Sequence, residues 1–215
     1  MELLIYSLNA CEVIACITGF WYWHKIKNTY WKWFPIYLLI IVINEFLGRY
    51  LTCIENYSWN NYLFRFWGIP IQFFFFYWLF YRQAKDKIEK KIVVVSVLVY
   101  IISFIVDVLY LRGERMWFFS FSYTTGNLLL VILIINYLLK FINSDEIIYY
   151  KRSMMFWVAI GLTIFYLGTF PFYALRNTLF YNYENIFYGY NYIQLIFGCL
   201  MYLVFALSFI WGKPK

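Results

Sequence analysis

Long apolar runs alternate with short polar connections along the whole chain. Seven runs approach or exceed the roughly 20 mainly apolar residues that a helix needs to cross a bilayer. Their predicted bounds are residues 3–24, 34–54, 60–81, 91–111, 117–142, 153–175 and 186–211. Only helices or closed barrels satisfy the backbone in lipid, and these runs lack the strict alternation of barrel strands. We therefore predict an all-α polytopic membrane protein, with residues 1–215 forming a single seven-helix transmembrane domain.

The composition agrees with this interpretation and excludes one class of partner. Hydrophobic residues make up 64% of the chain and charged residues only 13%, whereas about 25% is usual in soluble domains. The net charge of +7 could suggest nucleic acid. However, the basic residues lie in short clusters between the apolar runs rather than along one face or groove, so we expect no nucleic-acid partner.

The basic clusters predict the orientation in the membrane. Thirteen of the 18 Lys and Arg residues lie in the connections after the first, third and fifth runs and in the carboxyl-terminal tail. The opposite side has Arg112, Arg115 and Arg176, and two further arginines lie within runs. The positive-inside rule places the richer side in the cytoplasm. The prediction is an amino terminus outside and a carboxyl terminus inside.

The cysteines and the first run carry no signal for a disulfide framework, a metal site or a cleaved leader. Cys11, Cys16, Cys53 and Cys199 form no C-x-x-C pair, and the lone His24 is far from them in sequence. The first run has no basic region before it and no small-residue cleavage site, which favours a spanning helix over a signal peptide. We expect no cofactor.

Five charged residues lie well inside the runs, away from their ends, where an ionised group is costly and indicates a functional site by default. By the helical rise per residue they fall near the midplane or in the outer half of the bilayer. They are the predicted ligand-binding residues of an outward-facing polar pocket: Glu12, Glu45, Arg49, Arg65 and Asp107. Glu45 and Arg49 also share one helix face at the favourable spacing. The alternative is a polar network that only orients the bundle.

Prolines and glycines mark two of the runs. Pro70 and Pro171 are expected to interrupt the hydrogen-bond ladder, leaving the carbonyls of Phe66 and Leu167 without their usual donors. Gly161 and Gly168 give the sixth run a small-residue face for close helix packing.

Two hypotheses about function stay open. The first is a sensor-like or accessory membrane protein that binds a small ligand and acts through a protein partner, since the connections are too short for an output domain. The second is a small-solute or ion transporter or channel with a proton-coupling carboxylate, although no inverted repeat of broken helices is evident. A scaffold or assembly subunit is a third reading. An enzyme is disfavoured because the sequence contains no nucleophile–base pair and no metal-ligand set.

The sixth run also carries a resemblance to a family. The stretch from Phe156 to Pro171, the acidic Glu45 in the second run and the stretch from Tyr202 to Phe209 resemble small seven-helix inner-membrane proteins of Bacteroidota. The resemblance implies seven helices and a bacterial inner (cytoplasmic) membrane. It implies no activity.

Overall fold

The computed structural model describes residues 2–110 and 118–214. Within these ranges all elements of regular secondary structure are helices. Seven of the described helices are long and apolar enough to cross a membrane. They are α1 (Glu2–Trp21), α2 (Tyr30–Cys53), α3 (Tyr57–Gln83), α4 (Lys87–Leu109), α5 (Ser120–Ile142), α6 (Met154–Ala174) and α7 (Glu184–Trp211). The predicted all-α class is confirmed, and the predicted number of helices long and apolar enough to span a membrane, seven, is confirmed among the described residues. The orientation of the termini stays a prediction.

Two predicted boundaries and two predicted outer cations lie outside the described residues. They are Leu111 at the end of the fourth run, Trp117 at the start of the fifth, and Arg112 and Arg115 between them.

Helix α4 begins four residues earlier than its apolar run. A capping box formed by Asp86 and Glu89 starts it, with Glu89 Oε2 accepting hydrogen bonds from the backbone N–H groups of Lys85 (2.7 Å) and Asp86 (3.4 Å). Such a box satisfies backbone donors that the first helical turn leaves without partners. The helix therefore starts where its polar cap lies and not where hydropathy rises.

Helices α3 and α6 each include a π-helical turn close to a proline. Residues Phe64–Gly68 of α3 and Thr163–Leu167 of α6 are π-helical, and Pro70 and Pro171 follow them within a few residues. At the first site the Ile69 N–H donates to the Phe64 carbonyl, five residues back. The predicted interruptions are thus located beside these turns, which are often found at functional sites.

The described chain divides into two compact units. Unit 1 comprises residues 1–46, 134–168 and 192–215, and its core contains a cluster of aromatic rings. The Phe34 ring lies 5.2 Å from that of Phe205 and 5.1 Å from that of Phe209, between centroids. Gly161 packs against Phe205, where a Cβ would lie 3.0 Å from Cε1, and Gly168 packs against Phe197, where a Cβ would overlap the ring. The predicted packing role of these two glycines is confirmed.

Unit 2 comprises residues 47–133 and 169–191. Its core is built around the buried rings of Phe73, Tyr77 and Tyr100, which contact one another at centroid distances of 5.0–6.1 Å. The Tyr77 hydroxyl donates a 2.8 Å hydrogen bond to the Gly126 carbonyl. This bond gives the hydroxyl a hydrogen-bond acceptor, without which its burial would cost free energy.

Candidate functional site

The five predicted site residues divide between the two units. Glu12 and Glu45 belong to unit 1, and Arg49, Arg65 and Asp107 belong to unit 2. Glu12 and Asp107 are buried, with 3% and 4% of their surface exposed, whereas the other three are half-buried. A single pocket that contains all five stays a prediction, and each unit is described by itself below.

Within unit 1, the two carboxylates lie among tyrosine side chains. Tyr202 interacts electrostatically with Glu12, Glu45, Tyr37 and Tyr166. Tyr37 also interacts with Glu12, and all three tyrosines are buried. We call these five residues the acid–tyrosine cluster.

Helix geometry explains how part of this cluster forms. Tyr37 and Glu45 are eight residues apart on α2, so they project from the same face about two turns apart. Glu12 comes from α1, Tyr166 from α6 and Tyr202 from α7. Four helices thus each bring one or two members of the cluster into the interior of unit 1.

The chemistry of the cluster suits a proton or a ligand that carries hydrogen-bond donors or positive charge. A carboxylate removed from water is stabilised by hydroxyl donors or by a positive partner, or else takes up a proton. Tyrosine supplies both a hydroxyl donor and an aromatic face that attracts cations. Within the spans of unit 1 the sequence places Glu12 and Glu45 and no lysine or arginine near the midplane.

A pair of thiols lies next to Glu12 in unit 1. Cys11 and Cys199 lie close enough to interact electrostatically, and all four cysteines carry free thiols. Gly198 permits this approach of α7 to α1, because a Cβ there would lie 2.8 Å from Leu8 Cδ1. The sequence contains no signal for this pair, since 187 intervening residues separate the two positions.

Oxidation is expected to join Cys11 and Cys199 selectively. With molecular oxygen as oxidant and copper phenanthroline as catalyst, the two thiols lose two protons and two electrons and form one disulfide while oxygen is reduced. The expected result is one cross-linked peptide pair in a non-reducing digest analysed by mass spectrometry. Cys16→Ser and Cys53→Ser should retain the cross-link, and Cys199→Ser should lose it. Cross-linking of Cys11 to Cys16 or Cys53 instead would contradict the described packing.

Within unit 2, Asp107 has a defined structural partner. Its Oδ2 accepts a 2.5 Å hydrogen bond from the backbone N–H of Ser122, in the first turn of α5. The first-turn N–H groups of a helix have no acceptor within the helix, and the partial positive charge there stabilises an anion. Asp107 on α4 therefore caps α5 from a different helix.

Arg65 packs on an aromatic ring in the same unit. Its guanidinium carbon lies 3.8 Å from the centroid of Phe119, within the range of a cation–π interaction. Phe119 in turn makes edge-to-face contacts with Phe66 and Phe104, at 5.5 and 5.6 Å between centroids. These contacts position Arg65 whether or not it also meets a ligand.

The structure also shows contacts of Arg176 and Asn177 that the sequence did not indicate; we call these two residues the polar anchor. The short helix Arg176–Asn182 follows α6, and the Arg176 guanidinium lies 4.8–5.2 Å from the ring centroids of Phe118, Phe172 and Tyr173. Burial lowers the pKa of Arg176, and its interactions with Tyr173 and Tyr123 oppose that shift.

Asn177 completes this anchor. Its Oδ1 accepts from the Phe118 backbone N–H (3.3 Å), and its Nδ2 donates to the Phe118 carbonyl (2.9 Å) and to Ser120 Oγ (3.0 Å). The two side chains hold the segment that leads into α5.

Sequence reasoning named Glu12 and Glu45 but not the tyrosines that interact with them. Tyr37, Tyr166 and Tyr202 were indistinguishable from the other tyrosines in a chain with 23 of them. The eight-residue spacing between Tyr37 and Glu45 was the one available signal for a shared helix face.

Comparison of the chain with protein-family models, with curated proteins and with solved structures found no match.

Proposed function

We propose that the chain is a sensor-like or accessory integral membrane protein that binds a small ligand in an outward-facing polar site and acts through a partner protein. The site centres on the acid–tyrosine cluster. The observation that carries the proposal is the burial of Glu12, a carboxylate in the middle of a spanning helix, among tyrosine side chains. Intramembrane carboxylates are costly, which favours a functional reason for keeping one.

The proposal includes placement and orientation. The protein resides in a bacterial inner membrane, with its amino terminus outside and its carboxyl terminus in the cytoplasm, as the basic connections predict. Arg49, Arg65 and Asp107 remain proposed ligand contacts, secondary to Glu12 and Glu45.

Glu12→Gln is expected to abolish retention of the ligand. The substitution preserves shape and hydrogen-bonding capacity but removes the negative charge that a cationic or donor-rich ligand would contact. Wild type and variant are purified from the native host in mild detergent, and co-purifying small molecules and proteins are identified by native mass spectrometry. Glu146→Gln, in the connection between α5 and α6, is the matched control.

The outcomes separate the possibilities. A small molecule retained by wild type and Glu146→Gln but lost from Glu12→Gln supports the proposed site. A protein partner recovered with all three supports the accessory role independently. A ligand retained equally by Glu12→Gln would exclude this carboxylate as its contact.

The second candidate is a small-solute or ion transporter or channel with a proton-coupling carboxylate, and the same buried carboxylate favours it. Burial stabilises the neutral form of a carboxyl group and so suits it to carry a proton. Proteoliposomes that enclose a pH-sensitive dye are given an external acid pulse. This candidate requires faster internal acidification with wild type than with empty vesicles, and its loss in Glu12→Gln but not in Glu146→Gln. Equal acidification by wild type and Glu12→Gln would rule it out.

A further inference from the structure

One end of unit 1 carries an exposed basic surface assembled from distant parts of the chain. Its members come from the connection between α1 and α2, the end of α5, the connection between α5 and α6, and the tail after α7. The cationic side chains are Lys25, Lys27, Lys32, Lys140, Lys151, Arg152 and Lys213, of which all but Lys32 are exposed. We call these seven residues the basic surface.

Backbone and side-chain contacts join the segments. The Lys213 backbone N–H donates to the Arg152 carbonyl at 2.7 Å, and Lys25 Nζ donates to the Ile210 carbonyl at 3.3 Å. Trp157 Nε1 donates to the Lys151 carbonyl at 3.0 Å, and its ring lies 5.1 Å from that of Trp211. The connection between α1 and α2, the segment that contains Lys151 and Arg152, and the tail after α7 are therefore joined by contacts with one another or with the adjacent helix ends.

Apolar side chains project from the same end. The 3₁₀ helix Asp145–Arg152 exposes 74% of Ile148 and 63% of Tyr149. Only Tyr150 separates these two residues from Lys151 and Arg152 in the chain. An apolar side chain beside lysine and arginine is typical of segments that lie in the headgroup region of a bilayer.

We propose that the basic surface binds the headgroups of anionic phospholipids, with Ile148 and Tyr149 inserted between the acyl chains beside them. The surface has seven cations against two carboxylates, Asp145 and Glu146. Headgroup phosphates lie at the depth where the ends of spanning helices emerge, whereas an acidic protein would have to compete with them there. Anionic phospholipid is thus the partner that both the charge and the exposed apolar residues fit. The inference does not depend on the proposed function.

The test measures lipid preference directly. The full chain is reconstituted in nanodiscs that contain equal amounts of phosphatidylglycerol and phosphatidylcholine, then released into mild detergent, and the retained lipids are counted by native mass spectrometry. Both faces of a nanodisc have the same composition, so an altered orientation cannot change the result. The test variant combines Lys151→Gln, Arg152→Gln and Lys213→Gln. The matched control combines Lys85→Gln, Lys87→Gln and Lys91→Gln, which removes the same charge from the connection between α3 and α4 and from the first turns of α4.

Wild type and the control are expected to retain more phosphatidylglycerol than phosphatidylcholine. In the test variant the ratio of the two retained lipids should fall roughly tenfold. The proposal would be overturned if the test variant kept the wild-type preference for phosphatidylglycerol, or if the test variant and the control lost that preference equally. Recovery of an acidic protein on this surface without any lipid preference would also overturn it. If the test variant does not fold, two measurements replace it. Ile148→Ser and added salt should each lower the phosphatidylglycerol preference of an otherwise intact protein. A preference unchanged by either would equally overturn the proposal.

Discussion

Replacing Gly126 by leucine is expected to destabilise the protein by about 3 kcal/mol or to prevent its folding. A Cβ at this position would lie 2.9 Å from Tyr100 Cδ2 and 3.1 Å from Phe73 Cζ. Both rings are buried and in contact with each other, at 5.0 Å between centroids. Because close-packed interiors have no space for added atoms, the rings must move. The hydrogen bond from Tyr77 to the Gly126 carbonyl would be strained at the same time.

Gly189 provides the matched control for this substitution. It also lies in a spanning helix of unit 2, but a Cβ there would meet no atom within 4 Å. Gly189→Leu should therefore be neutral or stabilise the helix by about 0.5–1 kcal/mol through its better helix propensity. Thermal and denaturant unfolding of both variants in the same detergent, followed by tryptophan fluorescence, makes the comparison. Equal stability of the two variants would mean that Gly126 does not lie against Tyr100 and Phe73.

Asp107→Ala is expected to cost about 3 kcal/mol of stability. The change removes a charge-assisted hydrogen bond and leaves the Ser122 N–H buried without its acceptor, at the first turn of α5. Asp107→Asn keeps an oxygen acceptor and loses only the charge, so a smaller loss of about 1 kcal/mol is expected. The order of stability should be wild type, then Asn, then Ala.

A buried serine on the same helix supplies the control for this series. Ser103 donates to the Tyr100 carbonyl within its own helix at 2.7 Å, so Ser103→Ala leaves no unpaired backbone donor and should cost less than about 1 kcal/mol. The same unfolding measurements apply. If Asp107→Ala were as stable as wild type, the proposed cap would be wrong. Loss of a co-purifying ligand from a stable Asp107→Asn protein would instead show that Asp107 contacts that ligand.

The spanning helices could be predicted from the sequence because each depends on its own run of residues. About 20 apolar residues cross the hydrocarbon layer whatever their neighbours are, and lipid allows them no conformation other than a helix or a barrel strand. The ends of the helices were less predictable where a polar capping residue sets the first residue of the helix. The start of α4 is the example: Asp86 and Glu89 begin the helix before the apolar run does.

For the candidate site, the sequence indicated only the charged residues. Glu12, Glu45, Arg49, Arg65 and Asp107 were identifiable because a charged residue in an apolar run is rare and expensive. Their surroundings depend on the rotation of each helix about its axis and on which helices are neighbours. Hydropathy does not encode either quantity, so the contact of Asp107 with Ser122 was not predictable.

By itself, then, the sequence determined the seven apolar helices, the basic connections between them and the small set of charges buried within them, since these follow from local composition. Only the tertiary structure decided which polar groups meet. It brought Tyr37 and Tyr202 to Glu12, Cys11 to Cys199, and Lys213 to Arg152. The physical reason is that such pairs come from distant segments, and helix packing rather than any local pattern sets their separation.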